Sequence, residues 1–424
     1  MMMLTSLRKS ITSPFLLIAG LAGCLLLLLC FPEASLEAAV RGIAVWWDVL
    51  FPSLFPFFVI SEMMLGFGVV HLFGAFLDPF MRPLFRIPGS GGFVAAMGYV
   101  SGYPVGARLT AKLREQNLVS RTEGERLVAF TTSSDPIFLL GAVSVGFFHD
   151  ASLGLILALS HYGGGLIVGL LMSFYGRKED TTHKKNTTPS DKTTGQGFSY
   201  RIQIAFSAMA EARRKDGRNL GELLKGAVQS SLQLIIVVGG LVVFFNVLME
   251  LLNKAGIMAS LYNLIGHLLT FLGGPQELAQ ALGNGLFEVT LGARSAGAAG
   301  VSLPLHFKVA AAAFILSWGG LSVHAQVASI LNGSGLRYLP FLVARAFHAV
   351  LAAGLVLLLW EPIRGKGIST AWVSLPASTA FIPAPSGILA SMELFTLFLA
   401  SALMLSMLFL FFSRVLALLR RNGT

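Results

Sequence analysis

Apolar stretches of bilayer-spanning length recur along this chain, and lipid permits them very few backbone conformations. About 20 apolar residues cross the hydrocarbon layer as a helix. Backbone N–H and C=O groups find no partners in lipid outside a helix or a closed barrel, and runs of this length select the helix. Charged residues make up 12% of the 424 and hydrophobic residues 54%, where soluble domains carry roughly 25% charged residues. A soluble protein is thereby excluded. The expected fold is an all-α polytopic membrane protein with about eight transmembrane helices. They fall at roughly 14–31, 43–67, 127–148, 152–175, 223–252, 307–330, 338–360 and 391–415. Trp46 and Trp47 suit a membrane interface, and Pro52 and Pro56 should bend the second span. Residues 68–80 read as an interfacial helix, and 256–273 stay unassigned. Arg8 and Lys9 before the first run could open a signal peptide. The length of that run and the many spans after it favour a retained first helix. Cys24 and Cys30 lie six apart in the same run and read as packing residues.

The net charge of +10 reads as orientation of helices by basic loops, and no nucleic-acid partner is expected. Residues 176–220 form a polar cytoplasmic linker containing Arg213-Arg214-Lys215. Disorder is expected at 178–197 and a helix at 198–216.

Within this frame the triplet Gly-Ala-Arg occurs twice, at 106–108 and 292–294. The first copy follows a Gly-rich stretch, 89–105, too short to span comfortably, and the second lies within another, 281–300; both are read as re-entrant hairpins. About 25 residues on, each is followed by an interrupted helix: Thr131-Thr132-Ser133-Ser134-Asp135-Pro136 in the first half, Ser317-Trp318-Gly319-Gly320-Leu321-Ser322 in the second. Repeats with broken helices in matching places are the pattern of transporters that hold substrate between two halves. Residues 78–126 carry seven basic residues and the matching 253–308 only three, so the halves are expected to run in opposite senses. The expected organisation is an N-terminal helix and loop (1–42), a first gate-type repeat (43–175), the linker (176–220), a second repeat (221–360), and a loop with a final helix (361–424).

Ionisable residues inside membrane segments are costly and mark function by default. Arg108, Asp135 and His161 qualify in the first half, and Glu288, Arg294, His324, Arg345 and His348 in the second. Arg108 and Arg294 match across the repeat and could clamp carboxylates; alternatively each caps carbonyls or snorkels to the interface. Asn284 and Glu288 share a helix face, with Thr290 beside them. Glu288 could take a proton or Na⁺, or neutralise Arg294. Ser133, Ser134, Asp135 and Pro136 should unwind their helix and expose polar backbone, or Asp135 could simply cap the next turn. Ser317 holds the equivalent place in the second half. The single histidines read as hydrogen-bonded packing residues, and Gly163-Gly164-Gly165 as close helix packing. No metal, cofactor or enzymatic constellation is expected.

Leu50-Phe51-Pro52-Ser53-Leu54-Phe55-Pro56-Phe57-Phe58, then Gly98-Tyr99-Val100-Ser101-Gly102-Tyr103-Pro104-Val105-Gly106-Ala107 and Ser133-Ser134-Asp135-Pro136, resemble the YlbJ-type sporulation integral membrane proteins. That family is distantly similar to concentrative nucleoside transporters through its nucleoside-recognition "gate" group. The resemblance implies movement of dipicolinic acid out of the mother cell across the outer forespore membrane. On this reading Arg108 and Arg294 neutralise a small organic anion, Gly102, Tyr103, Ser133, Ser134, Asn284, Thr290 and Ser317 contact it, and Asp135 or Glu288 couples a proton or Na⁺. The alternatives are a nucleoside or nucleobase transporter and a membrane scaffold for spore envelope assembly. A homo-oligomer is compatible with all three.

Overall fold

The computed structural model describes residues 18–176 and 198–365. Helices are the only regular elements among the described residues. α1 (Ile18–Cys30) and α2 (Pro32–Val45) meet at an angle of 102°. Pro32 opens α2, where its missing N–H is no loss. Ser35, Ala38 and Gly42, spaced three or four apart, bury one face of α2 against α10 (Leu220–Lys254). Trp46, in a π-type turn at Trp46–Leu50, donates its indole N–H to the Ile235 carbonyl of α10 at 3.0 Å. α3 (Phe51–Gly66) follows, carrying Pro56 internally, and α4 (Val69–Phe80) follows α3.

The two Gly-rich stretches each form a pair of short helices joined at a tight break. The first pair is α5 (Ser90–Ser101) and α6 (Tyr103–Glu115). After it come α7 (Arg121–Thr131), a π-helical segment (Ile137–Phe147) and α8 (Leu153–Met172). α9 (Phe198–Asp216) lies in the linker and packs on α4, with the Arg213 guanidinium 5.4 Å above the Phe67 ring. After α10 and α11 (Ile257–Phe271) comes the second pair, α12 (Ala279–Phe287) and α13 (Val289–Gly297). α14 (Leu305–Trp318), α15 (Gly320–Leu331) and α16 (Tyr338–Trp360) complete the described chain. Both halves thus present the same order: a helix pair, a broken helix, a long helix.

Among the described residues, length and composition pick out four spanning helices, or five if bent α1–α2 counts as one span, against the eight expected along the whole chain. The expected span at 43–67 is divided by the turn at Trp46–Leu50. The span at 127–148 is cut at 132–136, where Ser and Asp side chains and Pro136 take the backbone out of the helix. The span at 391–415 and most of the 361–424 region lie outside the described residues. The halves interlock rather than lie side by side: α6 packs on α15, α7 on α16, and α8 on both α14 and α16. Ala310, Ala311, Ala312 and Ala313 in buried α14 allow the close approach of its neighbours.

Candidate functional site

Four helix breaks supply the polar backbone of the buried centre. In the first half, Gly102 separates α5 from α6 with φ 88°. A Cβ at Gly102 would stand 3.2 Å from the Asp135 Oδ2 atom. Asp135 lies in the second break, where its Oδ1 accepts from the Phe138 N–H at 2.8 Å and caps the helical segment beyond. In the second half the arrangement is exchanged. Glu288 separates α12 from α13 with extended backbone, and its carboxylate accepts from the Leu291 N–H at 2.7 Å. Opposite it are Gly319 and Gly320, with φ 89° and 76°. A Cβ on Gly320 would stand 2.9 Å from the Phe287 carbonyl oxygen. Each half therefore sets one capping acid against positive-φ glycine, Gly102 in the first and Gly319-Gly320 in the second, with the roles of helix pair and broken helix reversed.

Residues from both halves are tied together between these breaks. The Tyr103 hydroxyl donates to the Leu316 carbonyl at 2.7 Å. Arg345, on α16, donates through Nη1 to the Thr132 carbonyl at 2.8 Å and through Nη2 to the Leu316 carbonyl at 3.2 Å. Its guanidinium lies 5.8 Å over the Tyr103 ring. The Ser134 N–H donates to His161 Nε2 at 3.1 Å, so Nε2 is an acceptor and the ring proton sits on Nδ1, 2.8 Å from the Ser317 hydroxyl. The Ser133 hydroxyl reaches the same Nε2 at 2.9 Å. His348 donates from Nε2 to the His161 carbonyl at 2.7 Å. Its Nδ1 therefore accepts from Arg345 Nη1 at 3.0 Å. The two imidazoles stack 5.2 Å apart, and Gly164 and Gly165 on α8 leave room for the His348 ring.

Arg345 and His161 are fully buried (0% exposed). The Arg345 guanidinium bonds to neutral groups, Arg345 is in no ion pair among the described residues, and its Nε has no hydrogen-bond partner. The hydroxyls of Tyr99 and Ser101, buried near by on α5, are likewise without one. A permanent charge far from water is costly unless paired, and here two carbonyls, the His348 Nδ1 and the Tyr103 ring face the guanidinium in place of a carboxylate.

Other residues singled out in the sequence take different places. Arg108 lies one turn up α6, donating to the Ser230 hydroxyl at 3.1 Å and facing Glu62 at 3.9 Å. Arg294 is exposed on the last turn of α13. They have separate surroundings and do not form a joint clamp. Glu288 is occupied in capping α13, faces Thr290, and makes no ion pair with Arg294. Asn284 staples α12 to α13 through Ser295 and accepts from the Tyr262 hydroxyl at 2.6 Å. Pro136 opens the π-helical segment. His324 holds the Trp318 carbonyl at the break before Gly319 at 3.1 Å, a packing role. Gly102, Tyr103, Ser133, Ser134 and Ser317 do converge, on His161, Arg345 and their neighbours. Arg345, His348 and His161 stand out in the sequence as intramembrane ionisable residues outside the expected substrate contacts, and the structure sets them at the centre. Their signal was an Arg-x-x-His pair on one face of an otherwise uncharged 23-residue helix. No group of three His, Cys, Asp or Glu side chains gathers for a metal among the described residues.

An all-helical bundle with long apolar helices, interrupted helices and a buried polar centre defines an integral membrane protein. The Gate family, described as nucleoside recognition, matches residues 48–212. The sporulation integral membrane protein YlbJ of Bacillus subtilis (strain 168) is 46% identical over 342 residues, covering 80% of this chain and 80% of that protein. The chain belongs to the YlbJ-type family of sporulation integral membrane proteins. No solved structure matches it.

Proposed function

We propose that this protein carries a small organic anion across the membrane by alternating access around the four breaks, with Arg345 as the residue that neutralises the substrate. The buried guanidinium without a carboxylate partner carries this reading. Tyr103, Ser133, Ser134 and Ser317 surround it with hydroxyls and exposed backbone. The matching order of elements in the two halves, taken with the basic bias of 78–126 over 253–308, supports two copies in opposite orientation moving against each other. Asp135 and Glu288, each beside a glycine break, are the candidates for proton or Na⁺ coupling. Dipicolinate, with two carboxylates on an aromatic ring, is the substrate we put first, moving from the mother cell across the outer forespore membrane.

Proteoliposomes of the purified chain loaded with labelled dipicolinate or uridine test this. Dipicolinate flux is expected, with Arg345→Gln lowering it at least about 100-fold, in line with the loss of one buried charge-assisted contact. Uridine flux that survives Arg345→Gln would favour the neutral-nucleoside reading, to which the Gate family's description points. A sporulation defect absent in Arg345→Gln cells would favour the scaffold.

A further inference from the structure

A second charged site lies apart from the Arg345 centre, between α3, α6 and α10. A cavity of about 130 Å³ opens there, lined by Glu62, Lys112, Gln116, Arg218 and Ser230 among others. A narrower one of about 10 Å³ continues from it, sharing Glu62 and Ser230 and reaching Arg108 and Val105. The two follow α6 in sequence. Gln116 stands at the wide mouth and Val105 at the inner end, where Val105 donates its N–H to the Gly102 carbonyl. From Gln116 to the break at Gly102 is roughly 20 Å along the helix. The two cavities therefore follow α6 from near the end of linker helix α9 towards the break that carries Tyr103, the inner one only about the size of a water.

Its charges do not balance. Lys112 and Arg108 both turn to the single carboxylate of Glu62, and the Ser230 hydroxyl donates to Glu62 while accepting from Arg108. Arg108 Nε is buried without a hydrogen bond. At the mouth, Arg218 is matched by Asp216, which it holds through two bonds at 2.8 and 2.6 Å. The inner cleft thus keeps one positive charge beyond its acid. Glu62 occupies the cations from α3, and a carboxylate arriving from the mouth can take the same donors in its place.

We propose that this cleft is an access port for small organic anions, with Glu62 as a tethered carboxylate that holds Arg108 and Lys112 until an incoming anion replaces it. The identity of the occupant rests on the anion-transport reading above; the charge selectivity of the cleft does not.

Two measurements separate the ideas. In the full chain lacking Cys24 and Cys30, Ser230→Cys and, at the mouth, Gln116→Cys are labelled with an anionic and a cationic methanethiosulfonate of similar size. At Ser230→Cys the anionic reagent should react about 10-fold faster. Glu62→Gln should widen that ratio several-fold, and Arg108→Gln with Lys112→Gln should abolish it. Equal rates for both reagents, or labelling at Gln116→Cys with none at Ser230→Cys, would overturn the port. In proteoliposomes, Arg108→Gln with Lys112→Gln should raise the KM for dipicolinate about 10-fold at unchanged maximal rate, and Glu62→Gln should lower it. Charge-selective labelling without dipicolinate flux would leave the port standing and sink the transport reading instead.

Discussion

Gly102 and Gly320 do the same work in opposite halves, and their surroundings predict unequal consequences of substitution. Both have positive φ, and Gly102, with ψ −179°, lies where essentially only glycine is found; such strained backbone costs an L-residue about 1–3 kcal/mol. At Gly102 the new methyl would meet the end of the Asp135 side chain at 3.2 Å, which can swing aside. At Gly320 it would meet the backbone of Phe287 and Glu288 at 2.9–3.0 Å, which cannot. Gly102→Ala should therefore lower stability by about 1–3 kcal/mol, and Gly320→Ala by more, because backbone crowding adds to its strain. Thermal unfolding of the purified variants in detergent measures both; equal losses would show that backbone crowding at Gly320 is relieved elsewhere.

Helix starts are written into the chain at the element scale. α7 and α10 both begin with a complete capping box: Ser120 with Glu123, and Asn219 with Glu222. The side chains exchange bonds with the first free N–H groups, at 3.2 and 2.7 Å for α7 and at 2.9 Å in both directions for α10. Asn219→Ala should cost about 1 kcal/mol and speed hydrogen exchange in the first turn of α10. Its effect should stay local, since 35 residues of that helix lie beyond the cap. The same elements show where sequence reading holds. Breaks at 102, 132–136 and 319–320 were legible because Gly, Ser-Asp-Pro and Gly-Gly act on their own backbone. A bend in the second span was legible from Pro52 and Pro56, but the π-type turn at Trp46–Leu50 and the packing of Trp46 on Ile235, 189 residues away, were not.

Across the whole molecule, the two halves are joined by Glu125 on α7 and Arg337 at the start of α16. Arg337 donates to Glu125 through its amide at 3.0 Å and through its guanidinium at 2.8 and 2.9 Å. Burial pushes the Glu125 carboxyl up, but the Arg337 bonds and the Tyr175 hydroxyl outweigh it and hold its pKa below the usual 4.5. A carboxyl lowered on folding stabilises the fold above its unfolded pKa, and that contribution fades as pH falls through the lower folded value. Melting temperature should therefore drop as pH goes from about 6 to about 3, and Glu125→Gln should flatten part of that drop. Because Arg337 is half exposed, with 47% of its side chain in contact with solvent, the loss at neutral pH should be only about 1–2 kcal/mol. A slope unchanged by Glu125→Gln would place the acid sensitivity on other carboxylates.

By itself the sequence determined that the chain is helical and membrane-embedded, that its helices break in matching places, and that intramembrane charge is scarce. Composition and local backbone chemistry act over a few residues, so neighbours suffice to read them. Only the tertiary structure decided which charges meet. Arg108 and Arg294 share a triplet yet end on separate surfaces, while Arg345 reaches a carbonyl 213 positions away and another 29 away. The face a lone arginine presents depends on how its whole helix is rotated and packed against α7, α8 and α14, and that rotation is set by the sum of contacts from both halves, which no short stretch of sequence contains.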